Sequence, residues 1–355
     1  MRLFPKDRDL SESPDHVELV VRASDLNLPI EEVHVRLDAF LAKFLHWRSR
    51  TSIQELIRDG FVAIDPSDPA NPNGTGVLFV EKRPGRKLLH GTRVVIEIPE
   101  PLRIQRVVSA ASELSILYED GQMLGIDKPP NLPVHPSGRH LADTLIQRVH
   151  ARYDQKKERR EFRIKLCHRL DRETSGVVLL ARDPASHAKL MMQFEKRETE
   201  KEYLAIVRGV PADDGGRIDH DLGSDMKSEV RLKMAPVAEG LPSVTRWSVL
   251  ERYTDCALVS CRPETGRQHQ IRVHMDAVGH SLVGDKLYGV DEQLFLKASA
   301  NELTRADQEY LGLPRHALHN HRLVVTNPQT GERVEIRSPL PEDMRQYLLG
   351  RDRID

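Results

Sequence analysis

The residues best suited to chemistry form one short run with a carboxylate at its centre. The run covers residues 168–176, has the sequence HRLDRETSG, and leads into an apolar stretch at 177–181 that predicts a buried strand. Asp171 therefore lies on a loop that enters a strand, with Arg169 and Arg172 on either side. These cations favour the charged carboxylate that a nucleophile or a general base requires. A salt-bridged aspartate that only caps a turn fits the same spacing, so the run alone leaves both interpretations open.

Two later segments contain side chains that could work with such a carboxylate. Residues 265–275 begin at a glycine turn and are expected to enter a helix, and they contain Arg267 and Arg272. Arginine keeps its charge, so one of the two could neutralise Asp171 while others hold phosphates. Tyr203, in a predicted strand, could lie flat against a base, although a tyrosine in a strand is more often ordinary packing.

The 16 histidines suggest a rival class, a metal-dependent hydrolase. They form sequence clusters, namely His269 with His274, and His316 with His319 and His321. Metal-binding pairs on a helix usually stand four residues apart with an accompanying carboxylate, as in His-Glu-x-x-His, and the sequence contains no such run. The sequence therefore gives no support for a metal site, and the histidines are expected to be surface or hydrogen-bonded core residues. Loss of activity on chelation would favour the rival class.

The sequence around the Asp171 run predicts an α+β domain built on a mixed, mostly antiparallel sheet. Short β-rich runs are separated by turn signals, and two helical patterns lie between them. The predicted strands are 114–118, 124–127, 176–181, 202–208 and 257–262, and the predicted helices are 143–152 and 184–195. Residues 290–315 form a helix-prone insertion of unknown purpose.

A smaller module is predicted at residues 34–105, after an N-terminal tail and strand at 1–33. Its first helix has an apolar stripe and its second, at 49–59, ends before Gly60; the stripe is Leu37, Phe40, Leu41, Phe44 and Leu45. A capping box is predicted at residues 52–55 of the second helix.

Three arginines of this module are candidate RNA contacts. Arg48, Arg50 and Arg58 are expected on the polar side of the two helices, and strands follow them. The arrangement resembles the α-L RNA-binding module of ribosomal proteins and RNA-modifying enzymes. A small helical domain whose exposed arginines bind nothing is an equal alternative.

Length, composition and charge limit the class of protein to which the chain can belong. At 355 residues the chain suits two domains, and no apolar run reaches the roughly 18 residues that a membrane span needs. The first residues lack a secretory signal, so we expect a cytoplasmic protein. The net charge is only −1, yet residues 148–172 hold ten Lys or Arg against four Asp or Glu, which suits contact with phosphates.

Five motifs in order resemble those of the RluA family of RNA pseudouridine synthases. The resemblance covers residues 114–341. It makes the domain at residues 106–355 the catalytic one. The motifs are Asp127-Lys128-Pro129-Pro130 with Val134-His135-Pro136-Ser137-Gly138, His168-Arg169-Leu170-Asp171 with Thr174-Ser175-Gly176, Tyr203, Gly266-Arg267 with His269-Gln270-Ile271-Arg272-Val273-His274, and Gly284-Asp285 with Tyr288-Gly289.

The resemblance implies an enzyme that isomerises uridine in RNA without a cofactor. It makes Asp171 the catalytic aspartate, Tyr203 the residue that stacks on the target uracil, and Arg272 the partner of Asp171. Arg169 would fill the gap left in the RNA when the uridine flips out, and Arg267 would contact RNA. The substrate is expected to be large-subunit ribosomal RNA, with transfer RNA as the alternative, and the protein is expected to be a monomer.

Two matters stay open at this point. Asp171 could attack the anomeric carbon, add to carbon 6 of the uracil, or remove a ribose proton to give a glycal, and no sequence argument separates these routes. The chain could also be a non-catalytic RNA-binding or ribosome-assembly protein with a decayed synthase domain, although the joint presence of Asp171, Tyr203 and Arg272 argues against it.

Overall fold

The computed structural model describes residues 15–26, 28–45, 48, 50–68, 70–72, 74–103, 114–136, 142–154 and 164–354. It divides into two compact units, residues 1–112 with 135–158 and residues 113–134 with 159–355. The predicted domain boundary between residues 105 and 106 lies outside the described residues, as do Ser137 and Gly138 of the second motif and residues 155–163 of the basic stretch.

The first unit contains a four-stranded antiparallel sheet in the order β1-β6-β3-β4, with two helices packed in its core. Its strands are β1 His16–Val20, β2 Val35–Arg36, β3 Val62–Asp65, β4 Phe79–Val80, β5 Lys87–Leu88 and β6 Arg93–Glu97. Its helices are α1 Ala23–Leu26, α2 Leu37–Phe44, α3 Arg50–Arg58 and α4 Leu145–Asp154, with 3-10 turns at Ile30–Glu32 and Glu100–Leu102.

The apolar stripe predicted for the first helix is confirmed. Leu37, Phe40, Leu41 and Leu45 are fully buried, because their spacing puts them on one face of α2 against the sheet. Gly60, which follows α3, has a φ of +86° and fits the predicted helix end. The predicted capping box is wrong, since α3 begins at Arg50 and Ser52 therefore lies inside the helix.

The second unit is built on an eleven-stranded sheet, which confirms the predicted α+β class. Its main order is β12-β15-β16-β11-β17-β10-β8-β7, with β18, β19 and β9 paired at its sides. The strands of this unit, of which β13 and β14 form a separate two-stranded sheet, are β7 Ser115–Glu119, β8 Met123–Lys128, β9 Lys165–Leu166, β10 Ser175–Ala181, β11 Glu200–Arg208, β12 Gly215–Asp219, β13 Leu222–Ser224, β14 Met234–Pro236, β15 Val244–Tyr253, β16 Cys256–Pro263, β17 Leu318–Thr326, β18 Arg333–Arg337 and β19 Arg353–Ile354. Its helices are α5 Pro184–Glu195, α6 Gln270–Ala277, α7 Gln293–Ala300, α8 Arg305–Leu311 and α9 Glu342–Leu349.

One pairing in the large sheet differs from all the others described. The strands pair antiparallel except at β10 and β17, which run parallel and pair only through Ser175 with His319 and Gly176 with Asn320. The strand β10 is buried along its whole length, as its apolar sequence predicts. The loop that contains Asp171 therefore ends at the junction where the sheet changes direction.

Candidate active site

Asp171 lies on the loop between β9 and β10, and this loop is fixed where it joins the sheet. Gly176 has a φ of +107°, and a Cβ atom there would lie 2.3 Å from the carbonyl oxygen of Asn320. Only glycine fits such an approach without moving β17. The hydroxyl of Ser175 lies 2.9 Å from His319 Nδ1, which ties the strands together beside the glycine.

Three consecutive carbonyl groups of the Asp171 loop accept hydrogen bonds, one from within the loop and two from other parts of the unit. The Thr174 amide donates to the Asp171 carbonyl at 3.2 Å. Lys128 Nζ donates to the Arg172 carbonyl at 3.0 Å, and Arg315 Nη1 donates to the Glu173 carbonyl at 3.3 Å. The backbone that carries the candidate carboxylate is thus held at every residue from 171 to 173.

The two cations that hold this loop are themselves fully paired. Lys128 is 0 % exposed and also donates to the carbonyls of Pro129 and Leu132, each at 2.9 Å. Burial lowers the pKa of Lys128 to about 7, and the positive charge of Arg315 adds to this effect. Arg315 is 1 % exposed and forms two hydrogen bonds with the carboxylate of Asp343, at 2.6 and 2.9 Å.

The carboxylate of Asp171 faces an arginine that is shared with a second aspartate. Arg272 Nη1 donates to Asp171 Oδ2 at 3.3 Å. The same guanidinium donates to both oxygens of the buried Asp285, at 2.6 and 2.9 Å. Burial alone would lower the pKa of Arg272, but the charge and hydrogen bonds of Asp285 outweigh burial and raise it above its ordinary value. Asp285 thus fixes a permanent cation beside Asp171.

Tyr203, Arg169 and Arg267 line the same small cavity of about 90 Å³ as Asp171 and Arg272. Tyr203 lies on β11, and burial together with the charge of Asp171 raises the pKa of its phenol, so its ring stays neutral. The structure therefore brings together all five residues predicted for the catalytic domain. Spacing alone left Arg267 and Arg272 as candidate partners of Asp171, the family resemblance indicated Arg272, and the structure places Arg272 against the carboxylate.

A larger cleft shares four of these residues and is lined by more cationic than anionic side chains. Its volume is about 1340 Å³, and it is lined by Arg169, Asp171, Tyr203 and Arg267 among others. Eight Lys or Arg side chains line it against five Asp or Glu, namely Arg169, Arg197, Lys201, Arg246, Arg262, Arg267, Arg322 and Arg337 against Asp171, Glu195, Glu200, Glu202 and Glu264. A surface of this kind favours a polyanion such as a phosphate backbone.

Three of the predicted RNA-binding arginines, Arg48, Arg50 and Arg58, lie in the first unit and differ in how firmly they are held. Arg48 donates to the Leu102 carbonyl at 2.6 Å and to the Ser52 hydroxyl at 3.0 Å, and burial lowers its pKa. Arg50 pairs with the buried Asp38 at 3.1 Å. Arg58 is exposed and only approaches the Gln54 side chain, at 3.5 Å.

The sequence did not assign roles to several residues that the structure places around Asp171. Lys128, Asp285 and Tyr288 were part of the family motifs, but only contacts across the fold show what each one holds. His269 was noted as a possible metal ligand and as part of a family motif, and it lines both the small cavity and the cleft.

Within the part of the chain that the structure describes, no group of three or more His, Cys, Asp or Glu could hold a metal ion. Across those same residues, no helix is both long enough and apolar enough to cross a membrane.

Comparison with solved structures identifies the fold as that of pseudouridine synthases. The human RNA pseudouridylate synthase domain containing 1 has 27 % sequence identity and a TM-score of 0.54, over 70 % of this chain and 91 % of the human chain. The human domain containing 4 protein has 26 % identity and a TM-score of 0.54, over 67 % and 94 % of the two chains.

Sequence comparison gives the family. A family model described as RNA pseudouridylate synthase matches residues 122–277. An uncharacterized RNA pseudouridine synthase of Bacillus subtilis is 34 % identical over 91 % of this chain and 96 % of its own. The ribosomal large subunit pseudouridine synthase D of Pseudomonas aeruginosa is 35 % identical over 93 % and 96 % of the two chains. The chain belongs to the RNA pseudouridine synthases, isomerases that convert uridine in RNA to pseudouridine, and the resemblance to the RluA family is confirmed.

Proposed function

We propose that this enzyme modifies uridines of large-subunit ribosomal RNA and that Asp171 is its catalytic carboxylate. The observation that carries the proposal is the shared cavity of Asp171, Tyr203 and Arg272, in which Arg272 Nη1 lies 3.3 Å from the carboxylate. Relatives from Pseudomonas aeruginosa and Neisseria meningitidis are named as ribosomal large subunit synthases, and they support the choice of RNA.

The target base must leave the RNA stack to reach this carboxylate. A stacked base cannot present its glycosidic bond to a side chain on the wall of a cavity, and flipping costs a few kcal/mol. The ring of Tyr203 would stack on the flipped uracil and offset part of that cost. The exposed Arg169 would occupy the position that the base leaves, and Arg267 and the other cleft arginines would hold the phosphates.

Arg272 would keep the carboxylate of Asp171 oriented in each of the three chemical routes. Its guanidinium is bound on its other side by Asp285, so it cannot turn away when substrate enters. Because every route uses a carboxylate oxygen, the geometry supports the role of Asp171 without choosing among the routes. Arg48, Arg50 and Arg58 are proposed as additional RNA contacts, and a cytoplasmic monomer remains our prediction for the protein itself.

A tritium-release assay on uracil-labelled ribosomal and transfer RNA tests the proposal. The wild-type protein should release tritium from ribosomal RNA, and the Asp171→Ala variant should release none. Release from transfer RNA alone would contradict the proposed substrate, and no release from either RNA would favour a non-catalytic RNA-binding protein. Mapping pseudouridines in total RNA from a strain that lacks the protein would then identify the modified positions.

A further inference from the structure

His269 occupies an unusual position next to the candidate carboxylate. It is the residue before α6, with a left-handed backbone at φ 57° and ψ 15°. Its Nε2 atom lies 3.9 Å from Asp171 Oδ2, and its Nδ1 atom lies 2.7 Å from the hydroxyl of Tyr288. The imidazole therefore has one nitrogen facing the cavity and the other facing the protein.

The hydroxyl of Tyr288 determines what the inner nitrogen does. The backbone amide of Met234 donates to this hydroxyl at 3.0 Å, so one lone pair of the oxygen is already used. The phenol proton needs an acceptor, and His269 Nδ1 is the one that its described hydrogen bonds offer. Tyr288 is 2 % exposed, so its phenol is held in this position.

The outer nitrogen must then carry the imidazole proton. Burial lowers the pKa of His269 to about 4, and the positive charge of Arg272 adds to this effect. A neutral imidazole has one N–H, and an acceptor at Nδ1 leaves that hydrogen on Nε2. The N–H of His269 consequently faces the cavity on the same side as the carboxylate of Asp171.

We propose that His269 donates a hydrogen bond from Nε2 to a carbonyl oxygen of the flipped uracil, and that Tyr288 is the positioning residue that fixes the required tautomer. The proposal rests on the proposed function. In each of the three routes the base gains negative charge when its glycosidic bond breaks or when carbon 6 is attacked, and its carbonyl oxygens share that charge. A fixed N–H donor stabilises such an anion, and the imidazole stays neutral before and after.

The insertion at 290–315 contacts the residues that hold the phenol of Tyr288 in place. Glu292, directly before α7, accepts hydrogen bonds from Lys233 Nζ at 2.9 Å and from the Glu229 amide at 3.1 Å. These contacts hold the segment whose Met234 amide donates to the phenol of Tyr288. Phe295 of α7 packs in the same apolar cluster as Tyr288. The insertion of unknown purpose is thus part of what fixes the tautomer of His269.

Single-turnover rates at saturating RNA, measured together with the Kd for RNA, test the proposal. His269→Asn should lower the rate by about 10²-fold with an unchanged Kd, because asparagine tolerates the left-handed backbone but its amide is too short to reach the base. His269→Gln, which carries an N–H near the position of Nε2, should recover about tenfold of that loss. Tyr288→Phe should lower the rate by roughly three- to tenfold, because it frees the tautomer but keeps the imidazole. The exposed His220→Asn is the matched control and should behave as wild type.

The outcomes separate this inference from the proposed function. A wild-type protein that forms no pseudouridine would overturn the proposed function and the inference with it. An active wild type and an inactive Asp171→Asn, together with a fully active His269→Asn, would overturn the inference alone. The inference also fails if His269→Gln is as slow as His269→Asn, or if the loss lies in the Kd. Should His269→Asn not fold, as judged by thermal melting, a wild-type rate for Tyr288→Phe would still refute it.

Discussion

Asp38 in the first unit and Asp171 in the second are both aspartates with arginine partners, yet their surroundings differ in one respect. Asp38 is 0 % exposed and accepts two hydrogen bonds from Arg36, two from Arg50 and one from Gln54. The side chain of Asp171 is 26 % exposed and accepts one described hydrogen bond, from Arg272 at 3.3 Å. A neighbouring arginine is therefore common to both carboxylates, and what separates Asp171, the proposed catalytic residue, from Asp38 is the number of oxygen lone pairs left open to a substrate.

The largest effect should come from the carboxylate that is open to substrate. Asp171→Asn should lower kcat by roughly 10⁴-fold or more, because an amide cannot act as a nucleophile or base. The free energy of unfolding should change by less than about 1 kcal/mol, since a single long hydrogen bond is lost at a partly exposed site. Single-turnover assays and urea denaturation measure the two quantities. Asp213→Asn, on an exposed loop, is the control, and a large loss of stability in Asp171→Asn would erase the contrast with Asp38.

Removing a backbone contact of the loop that carries Asp171 should have the next largest effect on the reaction. Lys128→Met removes the donor to the Arg172 carbonyl while keeping the volume of the side chain, and it should lower kcat by about 10- to 100-fold with little change in RNA affinity. A wild-type kcat would show that the loop holds its shape without this contact.

Lys128 should also give stability a pH dependence. Its folded pKa of about 7 lies below its ordinary value of 10.5, so between these two values the unfolded chain binds more protons than the folded one. Its contribution to the free energy of unfolding should therefore rise as the pH increases from about 7 to about 10.5. Urea denaturation of wild type and Lys128→Met at several pH values in this window measures the difference. Parallel pH profiles for the two proteins would contradict the lowered pKa.

Asp38, whose carboxylate accepts hydrogen bonds on both oxygens, should affect the stability of the protein and not its reaction rate. Asp38→Asn should lower the free energy of unfolding of the first unit by about 1–3 kcal/mol, since buried acceptors and their donors lose partners. Burial alone would raise the pKa of Asp38, but hydrogen bonds from Arg36, Gln54 and Arg50 outweigh burial and lower it. Its contribution is present above the ordinary carboxyl pKa and is lost as the pH falls through the lowered value. The variant should therefore lose less stability than wild type on acidification, as followed by circular dichroism, whereas its single-turnover rate should stay unchanged.

The smallest effects should separate two arginines that the sequence could not tell apart. Arg58→Ala should weaken RNA binding slightly and reduce the salt slope of log K by about 1, as expected for one phosphate contact. Arg48→Ala should instead lower the melting temperature, because Arg48 holds the Leu102 carbonyl. Filter binding at several salt concentrations and thermal melting separate the two. A reduced salt slope in Arg48→Ala would make it an RNA contact after all.

Local signals in the sequence were enough for most elements. The helix α5 matches its predicted range of 184–195 because Asp183 and Pro184 define its start, and the Asp183 carboxylate accepts from the Ser186 amide at 2.8 Å. The predicted range of 49–59 for the second helix nearly matches α3 at Arg50–Arg58, but its capping box was wrong, because a Ser-x-x-Glu pattern also fits inside a helix. Local patterns thus located these helices but misplaced a cap in one of them.

The sequence predicted the residues of the candidate site but not the residues that hold them in place. Asp171 stood out because cations and turn residues surround it in the sequence itself. Spacing alone did not choose Arg272 over Arg267 as its partner, since that contact joins residues 101 positions apart, and only the family resemblance indicated Arg272. The roles of Asp285, Lys128 and His269 likewise depend on which strands and helices come together, and no spacing along the chain encodes that.

The hydrogen bond from Arg315 to the Glu173 carbonyl bears on how the enzyme is made. It joins residues 142 positions apart, and Asp343 of α9 holds the guanidinium in place. A growing polypeptide that stops short of residue 343 lacks that anchor, so the Asp171 loop gains its full set of contacts only after residue 343 has been added. During synthesis this anchor consequently forms only after the helix at 342–349 has left the exit tunnel.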